Sequence, residues 1–517
     1  MPETSKVTSA QTLGSLIKSC RDIMRKDKGL STDLDRLPML TWLMFLKFLD
    51  DLEPFREAEA SMAGKRFHPS IDPPYRWRDW ATREDGITGN ELTAFINQDE
   101  AVRPDGKRGA GLLAYLRGLQ SANGSDRRDV IATVFRGVTN RMVSGYLLRD
   151  VINKINGIHF TASEEIHTLS HIYEAMLKEM RDAAGDSGEF YTPRPVVRFM
   201  VEAMNPQLGE TILDPACGTG GFLLESYIHL EGRCKTVEDR KILQEHSIFG
   251  QEAKPLPYEL CQMNLLLHGL EYPKIQYGNS LAVKVSEIGD RERVDIVLTN
   301  PPFGGEEEAG IKNNFPADRQ TSETALLFLQ LIMRKLKRPE KNQGKPGRAA
   351  VVVPNGVLFG DGVCARIKED LLKDYNLHTI VRLPLGVFAP YTDIQTNILF
   401  FDRSTPAAEV WFYEVPIAEE HRKKKNPKYT KTKPMRFEEF DQCIKWWNNR
   451  EENDRAWRVP IPDLLESGCN LDRKNPRATQ DTTPLQPEEL TAGILQKERQ
   501  IAEIIQRIQN MFSEARA

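Results

Sequence analysis

The chain has 517 residues, more than one hydrophobic core can organise, since cores stop growing near ~250 to 300 residues. At 40% hydrophobic and 28% charged residues, with 35 glycines and 31 prolines, it has the composition of a globular protein and not of a disordered or fibrous one. Its 70 Lys and Arg against 74 Asp and Glu give a formal charge of −4, which excludes a uniformly basic coat for nucleic acid, so any polyanion site must be a local patch.

Residues 1–155 read as an N-terminal helical domain, because TLGSLIKSCRDIM and LTWLMFLKFLDDL carry apolar positions at helical spacing. The strongest apolar run, Leu37 to Leu49, is interrupted by Lys47 and is shorter than the ~18 to 20 apolar residues that cross a bilayer, so it predicts a buried helix. The opening MPETSKVTSAQT lacks the charged start and apolar stretch of a secretory signal. Seven cysteines without a CxxC pair suit reduced thiols, and a cytoplasmic protein is the expectation.

Thr161 and Glu164 are spaced as a capping box before a periodic run that ends at Gly185 to Gly188. His167 and His171 on that run lack the glutamate of a zinc HExxH motif and read as surface or packing residues, so no metal is expected. From Gln207 to Arg403 the short apolar strands ETILD, SIFGQE, VDIVLTN, RAAVVVP, HTIVRLP and NILFFD alternate with helical stretches. That alternation predicts an α/β domain over residues 156–420, a mostly parallel sheet covered by helices. Residues 421–485 read as a basic linker and extension, since His421 to Pro434 contains no acid. This run, like the one from Arg334 to Arg348, is most simply a solvated loop. Residues 486–517 form a final helix with Ile494, Ile501 and Ile508 seven apart, beside Ile505 and Phe512; the stripe either clasps a partner helix or docks on its own domain.

Three motifs carry chemistry. Asp214-Pro-Ala-Cys217-Gly218-Thr219-Gly220-Gly221 ends a strand and opens a helix, where glycines admit a ligand to the backbone. No Gly-Lys-Ser/Thr follows, and Leu223 stands where a dinucleotide fingerprint needs its third glycine. An acid at the strand end suits a ligand with an ammonium group and would repel a pyrophosphate. Glu252 closes the next strand, 38 residues on, where a carboxylate can accept both ribose hydroxyls of an adenosine.

The sharpest motif is Asn300-Pro301-Pro302-Phe303 at the end of VDIVLTN. The Asn300 side-chain oxygen and the Pro301 carbonyl can each accept one N–H of an exocyclic amine, pulling a delocalised nitrogen toward a tetrahedral shape. Phe303 can stack on the base, and the prolines hold the backbone. A base in a duplex must be flipped out to reach such a lip.

Together, DPACGTGGFL and NPPF resemble the amino-methylating DNA methyltransferases, and specifically the methylation (M) subunit of type I restriction-modification systems. Glu189-Phe-Tyr-Thr-Pro-Arg194, AAVVVPNGVLF, LPLGVF with TNILFF, and LMFLKFLDDLE are similar to further segments of that family. The resemblance implies a Rossmann-like S-adenosylmethionine-dependent methyltransferase sheet that methylates adenine N6 in DNA and so protects host DNA. It implies that Glu189, Phe190, Tyr191, Thr192, Pro193 and Arg194, with Gly218, Thr219, Gly220 and Gly221, cradle the methionine part, with Asp214 near its ammonium. Glu252 would hold the ribose, Asn279 or Ser280 would line the adenine side, and Asn300, Pro301, Pro302 and Phe303 would form the catalytic lip. Cys217 is a packing residue under the turn, and the absence of a Pro-Cys dipeptide argues against cytosine C5 methylation.

The family further implies double-stranded DNA, a specificity (S) subunit shared by two M subunits, and a restriction (R) subunit as partners, with the N-terminal domain and the final helix as candidate contacts. A protein-glutamine methyltransferase, which also carries Asn-Pro-Pro and an aromatic, and an inactive cofactor-binding scaffold are the alternatives. Glu306, Glu307 and Glu308 behind the lip would repel phosphates, so their loop is expected to look away from the duplex or to meet a basic partner.

Overall fold

The computed structural model describes residues 10–62, 64, 66–84, 86–119, 127–158, 192–305, 307–389, 392–422, 427–430 and 432–477, and the single positions 495, 498 and 505. Thr161, Glu164, His167, His171, the glycines at 185 and 188, and Glu189, Phe190 and Tyr191 lie outside the described residues. So do Ile494, Ile501, Ile508 and Phe512 of the final stripe, in which Ile505 is half exposed.

Helices α1 (Ala10–Met24) and α2 (Asp33–Met62) begin the N-terminal domain. In α2 the run from Met39 to Leu49 is buried on all sides, as its apolar composition requires of a core helix. Lys47, the charge inside that run, is buried and pairs with Asp51 one turn on. A hairpin of β1 (Glu100–Val102) and β2 (Arg108–Ala110) is added to the helices. Arg149, on the helix Gly145–Asn156, donates to the carbonyls of Trp80, Ala81 and Ile87 and so ties a loop to the core.

The second unit is a nine-stranded sheet. Its strands are β3 (Ile212–Asp214), β4 (Ile248–Glu252), β5 (Lys274–Tyr277), β6 (Ile296–Thr299), β7 (Arg348–Pro354), β8 (Asn376–Arg382), β9 (Thr396–Asp402), β10 (Glu409–Glu414) and β11 (Ala456–Pro460). They lie in the order β11-β10-β8-β9-β7-β6-β3-β4-β5, parallel except for β9 and β11. Central strands read as continuous apolar runs because both faces are covered. Side chains of β6, β7 and β9 alternate between two cores: Leu298, Val352 and Phe400 on one face, and Val297, Val351 and Phe401 on the other.

Residues 421–485, expected as linker and extension, instead remain part of this sheet domain as far as they are described. Strand β11 pairs with β10, and the helix Asp441–Asn448 packs its Cys443 and Trp446 on the core that holds Phe199. Phe440, just before it, stacks on Phe199 at 4.3 Å. The surrounding charges hide how few apolar side chains are needed to dock an edge strand. Strand β5 escaped the sequence reading for a related reason, since Ile275 is its only buried residue.

One helix belongs to both units. On Pro255–Leu267, Leu260, Met263 and Leu266 join the N-terminal core, while Tyr258, Cys261 and Leu265 join the core beneath the sheet. Among the described residues no helix is long and apolar enough to cross a membrane. All seven cysteines are free thiols.

Candidate active site

Strand order fixes where a ligand can sit. From β3 the chain runs outward to β4 and β5, then returns to place β6 on the other side of β3. That reversal opens a crevice at the carboxyl ends of the strands, the usual ligand position in open α/β sheets. A cavity of about 190 Å³ lies there. Gly218, Glu252, Asn279, Ser280, Asn300 and Pro302, all expected from sequence, line it.

The glycine turn is built by backbone geometry that side chains resist. Gly218 and Gly220 have φ of 52° and 83°, and a Cβ on Gly220 would lie 2.7 Å from Cys261 Sγ. Cys217 is buried beneath the turn with its Sγ 3.8 Å from that of Cys261, the packing role expected of it. Asn264 on the shared helix donates to the Thr219 carbonyl (3.0 Å). Thr219, Gly220 and Gly221 lead into the helix Gly221–Glu231 and are not among the lining residues.

Asp214 also stands apart from the lining. It lies under the turn, where Oδ1 accepts from Thr299 Oγ1 (2.7 Å) and the Ala216 N–H (3.1 Å). Burial pushes its carboxyl up to about 7, against those hydrogen bonds and with help from the charge of Glu252. Its bond to Thr299, the residue before Asn300, joins the glycine turn to the lip.

Glu252 ends β4 and lines the cavity. Its Oε2 accepts from the Gly218 N–H (2.9 Å) and its Oε1 from the Lys254 N–H (2.8 Å), so the carboxylate is aimed while each oxygen keeps a lone pair for a ligand. Burial raises its pKa above the ordinary carboxylate range, outweighing these two bonds.

Asn300 has a divided environment. Its Nδ2 donates to Thr192 Oγ1 (3.0 Å), while its Oδ1 is buried with no hydrogen-bond partner among the described residues. The threonine contact comes from the Glu189–Arg194 segment, of which Thr192, Pro193 and Arg194 are described. Arg194 begins the helix Arg194–Met204 and reaches the Gly221 carbonyl at 3.5 Å. Pro301 is buried. Phe303 is outside the cavity lining, with its ring edge-on to Phe388 (5.6 Å, 74°).

Several lining residues were not legible in the sequence. Thr324 and Phe328 come from the helix Thr324–Lys335, whose apolar run, broken only by Gln330, reads as core. Ala253 and Lys254 follow Glu252 without a motif of their own, and Glu307 belongs to the acidic run expected to look elsewhere. Phe388 lies in LPLGVF, which forms a turn after β8 and not a strand.

The profile of the N-6 DNA Methylase family matches residues 164–484, and that of the HsdM N-terminal domain matches residues 13–155. The type I restriction enzyme EcoEI methylase subunit of Escherichia coli is 45% identical over 516 residues, 98% of this chain and 99% of that protein. A modification subunit attributed to a type I restriction enzyme of Vibrio vulnificus YJ016 has a crystal structure that superposes with a TM-score of 0.85 at 68% identity, covering 92% of this chain and 98% of that one. A chain from a structural study of complex assembly and conformational transition in the type I R-M system matches with a TM-score of 0.74 at 38% identity, covering 99% of both.

Proposed function

The chain belongs to the N-6 DNA methylase family as a type I methylase subunit, and from that premise we propose that it transfers a methyl group from S-adenosyl-L-methionine to adenine N6 in DNA. The observation that carries the reading is Asn300, a residue of the cavity lining whose amide is anchored through its nitrogen to Thr192 while its oxygen is buried without a hydrogen-bond partner among the described residues. An acceptor left bare in a buried site costs about 1–3 kcal/mol, and an N–H of the target amine would satisfy it.

The cofactor fits the residues present. Glu252 would hold the ribose hydroxyls, the glycine turn would receive the methionine part, and Asp214 supports that turn from below. When bound, S-adenosyl-L-methionine supplies an electrophilic methyl group on a cationic sulfur. The chain's own contribution is positioning and hydrogen bonding. Asn300 Oδ1 and the Pro301 carbonyl each accept an N6 hydrogen, so the nitrogen lone pair is directed at the donor. Phe303 stacks on the extruded adenine, with Phe388 edge-on to it. No protein group is alkylated in this scheme.

The partners follow the same reading: double-stranded DNA, a specificity subunit that binds two copies of this chain, and a restriction subunit in the complete assembly. The test is transfer of a tritiated methyl group by the chain co-purified with the specificity protein encoded beside it. Label should enter DNA, as N6-methyladenine, and be absent from protein. Label on glutamine of a protein substrate would favour the glutamine-methylating alternative, and label on neither would favour a scaffold.

A further inference from the structure

The acidic run behind the lip is the one motif that methyl transfer leaves without a role, since carboxylates there would repel DNA phosphates. Glu308 is exposed, and Glu306 lies outside the described residues. Glu307 turns inward and lines the cavity. Its loop is pinned to the start of the helix Thr324–Lys335: the Glu307 N–H donates to the Ser322 carbonyl (3.1 Å), and Thr324 Oγ1 donates to the Gly305 carbonyl (3.1 Å).

The carboxylate of Glu307 meets Asn279, whose Nδ2 donates to Oε2 at 3.3 Å. That bond, with one other, engages both ends of the Asn279 amide, because its Oδ1 accepts from the Leu281 N–H (2.9 Å). Ser280 is likewise engaged, its Oγ donating to the Pro215 carbonyl (2.6 Å). Asn279 and Ser280, of which the family resemblance implies one or the other on the cofactor's adenine side, are therefore both held in the protein's own hydrogen bonds. Glu307 Oε1, in contrast, accepts no hydrogen bond from the described residues.

Strand order supplies the direction. The four strands that carry the cavity lie as β6-β3-β4-β5, with the lip after β6, Glu252 on β4 and Asn279 after β5. A nucleoside whose ribose rests on Glu252, with its sulfur end toward the lip, has its base at the Asn279 end. We propose that Glu307 reads that base: steadied by Asn279, its carboxylate accepts a hydrogen from the exocyclic amine of the cofactor's purine. This deepens the cofactor reading above and rests on it.

The chemistry predicts discrimination. Adenine offers an amino donor where hypoxanthine offers an oxo acceptor, and a carboxylate attracts the first and repels the second. A site built around a hydrogen bond rejects an analogue that cannot make it far more strongly than an apolar pocket would. Binding of S-adenosylhomocysteine and S-inosylhomocysteine to the full chain, measured by calorimetry, should differ by roughly 100-fold or more in the wild type. Glu307→Gln can turn an NH₂ toward the oxo group and should shrink the ratio to below about 10-fold, chiefly by tighter inosyl binding. Glu308→Gln should leave the ratio unchanged. An unaltered ratio in Glu307→Gln, or equal weakening of both ligands, would overturn the assignment. A wild type that binds neither ligand would instead remove the cofactor reading on which it depends.

Discussion

The bond between Asn300 and Thr192 makes a quantitative demand on catalysis. If Thr192 holds the amide so that its oxygen faces the target amine, then removing the oxygen and removing the anchor should differ in size and be coupled. Asn300→Ala deletes an acceptor used as charge develops on the nitrogen. Loss of one such preorganised hydrogen-bonding group costs about 2.7–4 kcal/mol, or roughly 10²–10³ in kcat. Thr192→Val keeps the shape and removes one neutral hydrogen bond, about 0.5–1.5 kcal/mol, so kcat should fall roughly 3- to 10-fold as the amide loses its fixed orientation. In the Asn300→Ala background Thr192→Val should cost nothing further, because the group it orients is gone. The assay is tritiated methyl transfer to DNA at saturating DNA and cofactor, with calorimetry to show that cofactor affinity is kept. Turnover of Asn300→Ala within tenfold of wild type would refute the proposed role. So would a Thr192→Val penalty that is as large in the double variant as alone.

Other expectations follow from particular contacts. The folded-state pKa of Asp214 is raised from 3.8 to about 7, so the folded protein holds this proton more tightly than the unfolded chain. Stability should accordingly fall as pH rises between about 4 and about 7 and then level off. Asp214→Asn keeps an acceptor for Thr299 and Ala216 without the titration; its stability advantage over wild type should widen from pH 5 to pH 8 by at most ~3 kcal/mol, read as a growing difference in Tm, and parallel curves would sink the argument. A Cβ on Gly250 would lie 2.7 Å from Leu223 Cδ1 and 2.9 Å from Ile275 Cδ1, beneath the glycine turn. Gly250→Ala should therefore cost about 1–3 kcal/mol by overpacking, seen as a Tm lower by several degrees together with weaker cofactor binding; an unchanged Tm would show that the site has slack. Removing residues 488–517 should abolish assembly with the specificity subunit while calorimetry still shows cofactor binding, and a truncated chain that assembles normally would return the final helix to an intramolecular role.

Much of this molecule was legible before any coordinates. The turn from Asp214 to Gly221 and the lip from Asn300 to Phe303 are contiguous, and their backbone demands, positive φ at glycine and a fixed φ at proline, are written in the residues themselves. Strands β6, β7 and β9 announced themselves as unbroken apolar runs, because burial on both faces leaves no room for polar alternation. Tertiary structure decided the rest. It enrolled β5, β10 and β11 in the sheet, seated Asp214 under the turn, engaged Asn279 internally and turned Glu307 into the cavity. It also brought Thr192 to Asn300 across 108 positions of chain. Local sequence sets what a residue can do through its own backbone preferences and donor or acceptor groups. Which groups it meets depends on strand order, and that order is settled only when distant segments compete for the same sheet edge and the same buried volume.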